Sequence, residues 1–204
     1  MYRKNYRCIV EGQQERMYLD HVANLVKDFP KTVITFNTSE GNAYELTKSY
    51  IEYDSACLFD YDFNKNEFEQ NLAICEKLNN QNKPGKRKNG RYVHHAYSSV
   101  CFDLWLLLHK KDFNRLVSKN DGYVDEVIAA YNLPRGSDIK NAKTISTILS
   151  QISIEDVKSA IKRAERIKQM KDGDDAHHVN TVVYYDNPYF SIHEFISKVL
   201  NDIK

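Results

Sequence analysis

The chain has 204 residues, 42% of them hydrophobic and 28% charged, with a formal net charge of +1. That length suits one large domain, or a domain with an appended lobe, and can bury a substantial core. The near-neutral balance excludes polyanion binding through overall basicity, so any basic surface must be local. The cysteines Cys8, Cys57, Cys75 and Cys101 form no CxxC pair, which argues for reduced thiols against a disulfide framework or a zinc site. No stretch approaches the roughly 20 apolar residues of a membrane span. The first apolar run is too short for a secretory signal. A cytoplasmic protein with no membrane contact is expected.

In chain order, Tyr6 to Val10 reads as a strand, with Glu11 at its end and Gly12 allowing a sharp exit. Tyr18, Val22, Leu25, Val26 and Phe29 recur at helical spacing, predicting a helix over 13–29 that Pro30 ends. Thr32 to Phe36, β-branched and aromatic, predicts a second strand. Ser39 then reads as a helix cap, with Ala43, Leu46 and Tyr50 on one helical face. Ala56, Cys57, Leu58 and Phe59 form a short unbroken apolar run, the pattern of a central parallel strand.

That strand ends in Asp60 and Asp62, which share one side if strand geometry continues through them. Two crowded carboxylates cost free energy unless a cation compensates, and hard cations such as Mg²⁺ or Mn²⁺ take carboxylate oxygens. A polar turn continuing into Asn64 and Lys65 is the competing reading. Phe68, Leu72, Cys75 and Leu78 predict a helix over 67–79. Alternating strands and helices argue a parallel sheet covered on both faces, whose functional groups gather at the C-terminal strand ends near a switch in strand order. Glu11 and the Asp60/Asp62 pair both fall there.

Residues 80–91 read as a loop in which Lys83, Lys86, Arg87, Lys88 and Arg91 carry five positive charges without an acid. Such a loop is either solvated surface or, beside a metal-carboxylate cluster, a contact for a phosphate backbone. Tyr92 to Tyr97 predicts a fourth strand, along which His94 and His95 face opposite sides. The segment from Ser98 to His109 is apolar all round and holds the one tryptophan, Trp105, which marks a buried helix. Asp103 within it needs a partner, either backbone N–H groups at the helix start or the metal site. His109 stands at the helix end, near the last carbonyls.

From Lys110 onward the pattern is mainly helical: 124–131, 145–152, 154–170 and, after a loop at Asn187-Pro188, 190–203. Asp172 to Asp175 reads as a helix-terminating turn, and His177 and His178 as loop residues. No GxxxxGK[ST], GxSxG or HExxH is present, which weighs against a phosphate-loop NTPase, that type of serine hydrolase and a zincin.

With these segments assembled, the chain resembles the RloB family, related to Toprim-fold metal nucleases. Ile9 to Glu15 is similar to its opening strand followed by EGxTE, bringing in Gly12 and Glu15 as supporting residues. Phe59-Asp60-Tyr61-Asp62 matches its strand-terminal DxD. Ser98 to His109 is similar to its S-N-P-C-F-E-x-W-L-L-L-H block, which makes Asp103 a catalytic candidate and His109 a supporting one. Ala160, Ile161 and Ala164 resemble a later helix, and Asn187-Pro188 its closing NPxT. Gln14 stands where the pattern has threonine, Ser99 for asparagine, Val100 for proline and Asp103 for glutamate; Tyr189 and Phe190 leave the closing motif without its threonine.

The resemblance implies a Toprim-like α/β core over residues 1–109 and a helical C-terminal region over 110–204. It also implies a nuclease in which Glu11, Asp60 and Asp62 bind Mg²⁺ or Mn²⁺ and cleave DNA or RNA, with a role in bacterial antiphage defence. A protein partner or a second copy of the chain is compatible with this. The alternative is a non-catalytic, Mg²⁺-dependent module that binds nucleic acid or a nucleotide and acts through a partner.

Overall fold

The structure, a computed structural model, describes residues 2–27, 29, 32–81, 91–118, 123–171 and 176–203. Strand β1 (Tyr2–Val10) runs on one side beside β2 (Thr32–Glu40) and on the other beside β3 (Ser55–Asp60), both parallel to it. Strand β4 (Val93–Ser99) lies parallel to β3. The C-terminal part supplies a small antiparallel hairpin, β5 (His177–Val179) and β6 (Val182–Tyr184), and then β7 (Tyr189–Phe190), which pairs antiparallel with β4. The result is a mixed five-stranded sheet of order β2-β1-β3-β4-β7 flanked by helices, an α/β fold.

Period-2 alternation buries both faces. On one face Tyr6, Cys8, Val10, Ala56 and Leu58 meet helix α1 (Gln13–Val26), helix α3 (Phe102–Leu108) and the C-terminal helices. On the other, Ile9, Cys57, Phe59 and Tyr97 meet helix α2 (Lys65–Gln81). The C-terminal helices are α4 (Val124–Ala130), α5 (Ala142–Ser150), α6 (Ile154–Lys171) and α7 (Ile192–Asn201); α5 and α6 pack on α1, and α7 on β4. All four cysteines are buried and free. No helix among the described residues is long and apolar enough to cross a membrane.

Four local expectations change. Ser39 is not a helix cap: β2 continues in register with β1 as far as Glu40, because backbone pairing to β1 persists through Ile9 and Val10. The turn that follows is a 3₁₀ helix (Ala43–Lys48), capped by Asn42, whose Oδ1 accepts from the Tyr44 N–H at 3.1 Å. Ser98 and Ser99 end β4 rather than opening the buried helix, which begins at Phe102. His177 and His178 belong to a hairpin instead of a loop, and Phe190 belongs to β7, with the last helix starting at Ile192. The expected turn at Asp172 to Asp175 lies outside the described residues.

Candidate metal centre

The chain goes from β1 to β2 on one side and returns to β3 on the other, so the strand order reverses between β1 and β3. The carboxyl ends of two such strands splay apart in their connections and leave a crevice. Glu11 follows β1 and Asp60 ends β3, and the pairing of Ile9 with Cys57 brings both residues out at the same end of the sheet. The Asp60 N–H donates to Glu11 Oε2 at 3.3 Å. Asp60 Oδ2 in turn accepts from the Phe102 N–H at 2.9 Å.

Asp62 joins them by a different route from the one its spacing suggests. The strand stops at Asp60, and Asp62 and Phe63 adopt left-handed backbone, with φ of 41° and 54°. Such conformations cost non-glycine residues about 1–3 kcal/mol each and persist where the surroundings hold them. Here the Tyr61 and Asp62 N–H groups donate to the carbonyls of Ser98 and Val100, at 3.2 and 3.0 Å, and the Tyr61 ring packs edge-on against Phe68. The strained turn folds Asp62 back over Asp60. Oxygens of Glu11, Asp60 and Asp62 all lie within 4.8 Å of one another, the one such group of potential metal ligands among the described residues.

The charges are crowded. Glu11 is exposed at the mouth of the crevice, yet partial desolvation, followed by Glu15, Asp62 and Glu67, pushes its carboxyl up to about 8, against the relief given by the Asp60 N–H. Burial and then the charges of Glu15 and Glu11 hold Asp60 well above the usual carboxylate range. Asp62 is raised too, by burial and by Asp103 and Glu67, with Lys140 opposing. A set of hard oxygens that repel one another fits a hard divalent cation, whose charge would offset the repulsion. Glu15 is buried beside this set, and its Oε2 accepts from the Gly12 N–H at 3.0 Å, which closes the start of α1.

Asp103 is completely buried and stands one layer behind. Its partners among the described residues are side chains, not the N–H groups of the helix start. Gln14 Nε2 donates to Oδ1 at 2.6 Å, the Tyr123 OH donates to Oδ2 at 3.1 Å, and the Lys140 ammonium lies 2.8 Å from Oδ2. For Lys140, burial alone would lower the pKa, but the charge and hydrogen bond of Asp103 outweigh it and raise it. Lys140 and Tyr123 escaped the sequence because each comes from a polar stretch without periodicity or motif, far from Asp103 along the chain.

His109 lies in the core between α1 and α3. Its Nδ1–H donates to the Trp105 carbonyl at 2.9 Å, which leaves Nε2 to accept from the Tyr18 OH at 3.1 Å. Arg91 donates to the Ile51 carbonyl at 2.9 Å and covers the Tyr50 ring at 5.8 Å. Lys83, Lys86, Arg87 and Lys88 lie outside the described residues.

The model of the RloB-like protein family matches residues 7–199 of this chain, nearly its whole length. The chain belongs to the RloB-like family. Comparison with curated proteins and with solved structures finds no match in either. Gln14 and Asp103 are hydrogen-bonded side chain to side chain. In a double-mutant cycle, Gln14→Thr and Asp103→Glu should each destabilise, while the double variant recovers part of the loss, with a coupling of about 0.5–3 kcal/mol in urea unfolding. Strictly additive losses would make the positions independent.

Proposed function

We propose that this RloB-like protein is a divalent-metal-dependent nuclease with a Toprim-type site. The observation that carries the reading is the convergence of Glu11, Asp60 and Asp62 at the β1/β3 crevice within a single 4.8 Å group. Asp60 and Asp62 would hold Mg²⁺ or Mn²⁺, with Glu11 as a further ligand or as general base. The bound ion would supply Lewis-acid polarisation of a phosphoryl oxygen and a more acidic water. Hydrolysis adds water across one P–O ester bond: its hydroxyl goes to phosphorus and its proton to the leaving oxygen.

The chain's own part is positioning. The Phe102 N–H orients Asp60, the Asp60 N–H orients Glu11, and the pinned turn keeps Asp62 in reach of both. Glu15 and Glu67 add negative field, which favours a cation in the crevice over a neutral ligand. The substrate is DNA or RNA, and the role is bacterial antiphage defence in the cytoplasm; these finer statements rest on the family resemblance, and no residue of the chain carries them alone. The test is incubation with labelled single- and double-stranded DNA and RNA in Mg²⁺, Mn²⁺ or EDTA. Cleavage with Mn²⁺ and none with EDTA is expected. Metal-dependent binding without cleavage would favour the non-catalytic module instead.

A further inference from the structure

Lys140 meets Asp103, behind the candidate metal centre, from the loop that precedes α5. The loop is shaped by its own hydrogen bonds. The Ser137 N–H and Oγ donate to the Pro134 carbonyl at 3.1 and 2.7 Å, the Lys140 N–H donates to Asp138 Oδ1 at 2.9 Å, and Ile139 is buried as its anchor. The ammonium is then held from the inner side. Asp103 Oδ2 lies at 2.8 Å and Gln14 Oε1 at 3.5 Å, and Asp103 is itself fixed by Gln14 and Tyr123.

This is an asymmetric pair: the Asp103 side chain has no solvent exposure, whereas the Lys140 side chain keeps 57% of its surface. The open outer side keeps the ammonium partly hydrated, which lowers the cost of pairing it with a buried acid, and leaves it within reach of a ligand from solvent. An ammonium carries three donors. Its two contacts with protein oxygens leave one donor without a partner among the described residues. Lys140, Asp103 and Tyr123 line a cavity of about 580 Å³ together with Asp62, one member of the carboxylate cluster. The charge of Lys140 acts on Asp62 and Glu15. An anion bound at the cluster through a cation therefore lies within the field of this ammonium.

We propose that Lys140 binds a non-bridging oxygen of the phosphodiester at the metal centre as a catalytic residue, with Asp103 and Gln14 as positioning residues that hold its ammonium. The proposal rests on the nuclease reading. Lys140 transfers no proton. Water's hydroxyl still goes to phosphorus and its proton to the leaving oxygen, while the ammonium offsets charge growing on the phosphoryl oxygens. Asp103, introduced above as a catalytic candidate, then acts through Lys140 without touching the substrate.

The test compares wild type, Lys140→Met and Lys140→Arg on one labelled oligonucleotide with Mn²⁺, together with calorimetric Mn²⁺ titration and thermal unfolding. Lys140→Met should bind Mn²⁺ at least as tightly as wild type does and lose about 10²–10³-fold in kcat, the scale for losing one preorganised donor. The plot of log kcat/KM against log salt should flatten by about 0.7–0.9, one phosphate contact. Lys140→Arg should recover part of both. An active wild type matched by Lys140→Met in kcat and salt slope overturns the role of Lys140, whether or not its melting temperature falls. A wild type that binds Mn²⁺ but cleaves nothing overturns the nuclease reading itself.

Discussion

Replacing Asp60 by asparagine is expected to abolish metal binding while leaving the metal-free protein at least as stable as wild type at pH 8. Asparagine keeps an oxygen to accept from the Phe102 N–H, so the local backbone retains its partner. What it removes is one negative charge from a crevice already holding Glu11, Asp62 and Glu15. A raised carboxyl pKa in the fold means that the ionised group is a net cost, present as pH rises past its ordinary range, so neutralising it cannot weaken the metal-free fold at pH 8 through charge. Wild type at Mn²⁺ concentrations of about 100 times Kd should gain about 2.7 kcal/mol. At roughly 2–4 °C per kcal/mol for a chain of this size, that is a rise of about 5–11 °C in melting temperature. The variant should show no such rise and no binding heat. A variant that keeps the metal-induced rise would remove Asp60 from the ligand set.

The second large effect is on acid stability. His109 has both ring nitrogens committed and no exposure to speak of, and burial, opposed by the Trp105 and Leu106 carbonyls, lowers it to about 4. The unfolded chain returns it to about 6.5. Between those values the unfolded state binds more protons than the folded one, so this contribution to stability is intact above pH 6.5 and is lost as pH falls towards 4. The full shift corresponds to about 3 kcal/mol. His94 is lowered to about 4 by burial as well, and His95 and His193 shift in the same direction. The carboxylate cluster pulls the other way, because its raised acids take up protons in the fold first. A direct pH curve of one protein would blend the two effects, whereas a difference between variants separates them. Gln at position 109 can donate to the Trp105 carbonyl and accept from Tyr18 without titrating. The stability advantage of wild type over His109→Gln should therefore shrink by up to about 3 kcal/mol from pH 7 to pH 4 in urea unfolding. A constant difference would mean that His109 takes up its proton alike in the folded and unfolded chains, so that burial does not lower its pKa.

The resemblance to RloB and the short-range patterns made much of this protein legible. Apolar runs and their periods carry strand and helix identity, since burial of one face is a local demand on sequence. The elements that went unread are those whose residues are set by distant neighbours. Tyr189 and Phe190 are a strand because β4 offers them an edge, and His177 to Tyr184 is a hairpin too short to carry a period. Ser39 looked like a cap because its side chain suits one, yet the neighbouring β1 backbone keeps it extended.

Residue order alone carries the family, the α/β alternation and three acids placed at or just after strand ends. These depend on residue type and spacing along the chain, which a linear record preserves. Tertiary structure alone decided that Asp62 reaches the cluster through a left-handed turn, that His109 is a neutral core residue, and that Asp103 faces Lys140. A charge pair between residues so far apart has no periodicity to announce it. Its partner is chosen by the packing of the α5 loop against α1 and α3, where a buried carboxylate must find a cation and the fold brings only certain side chains within reach.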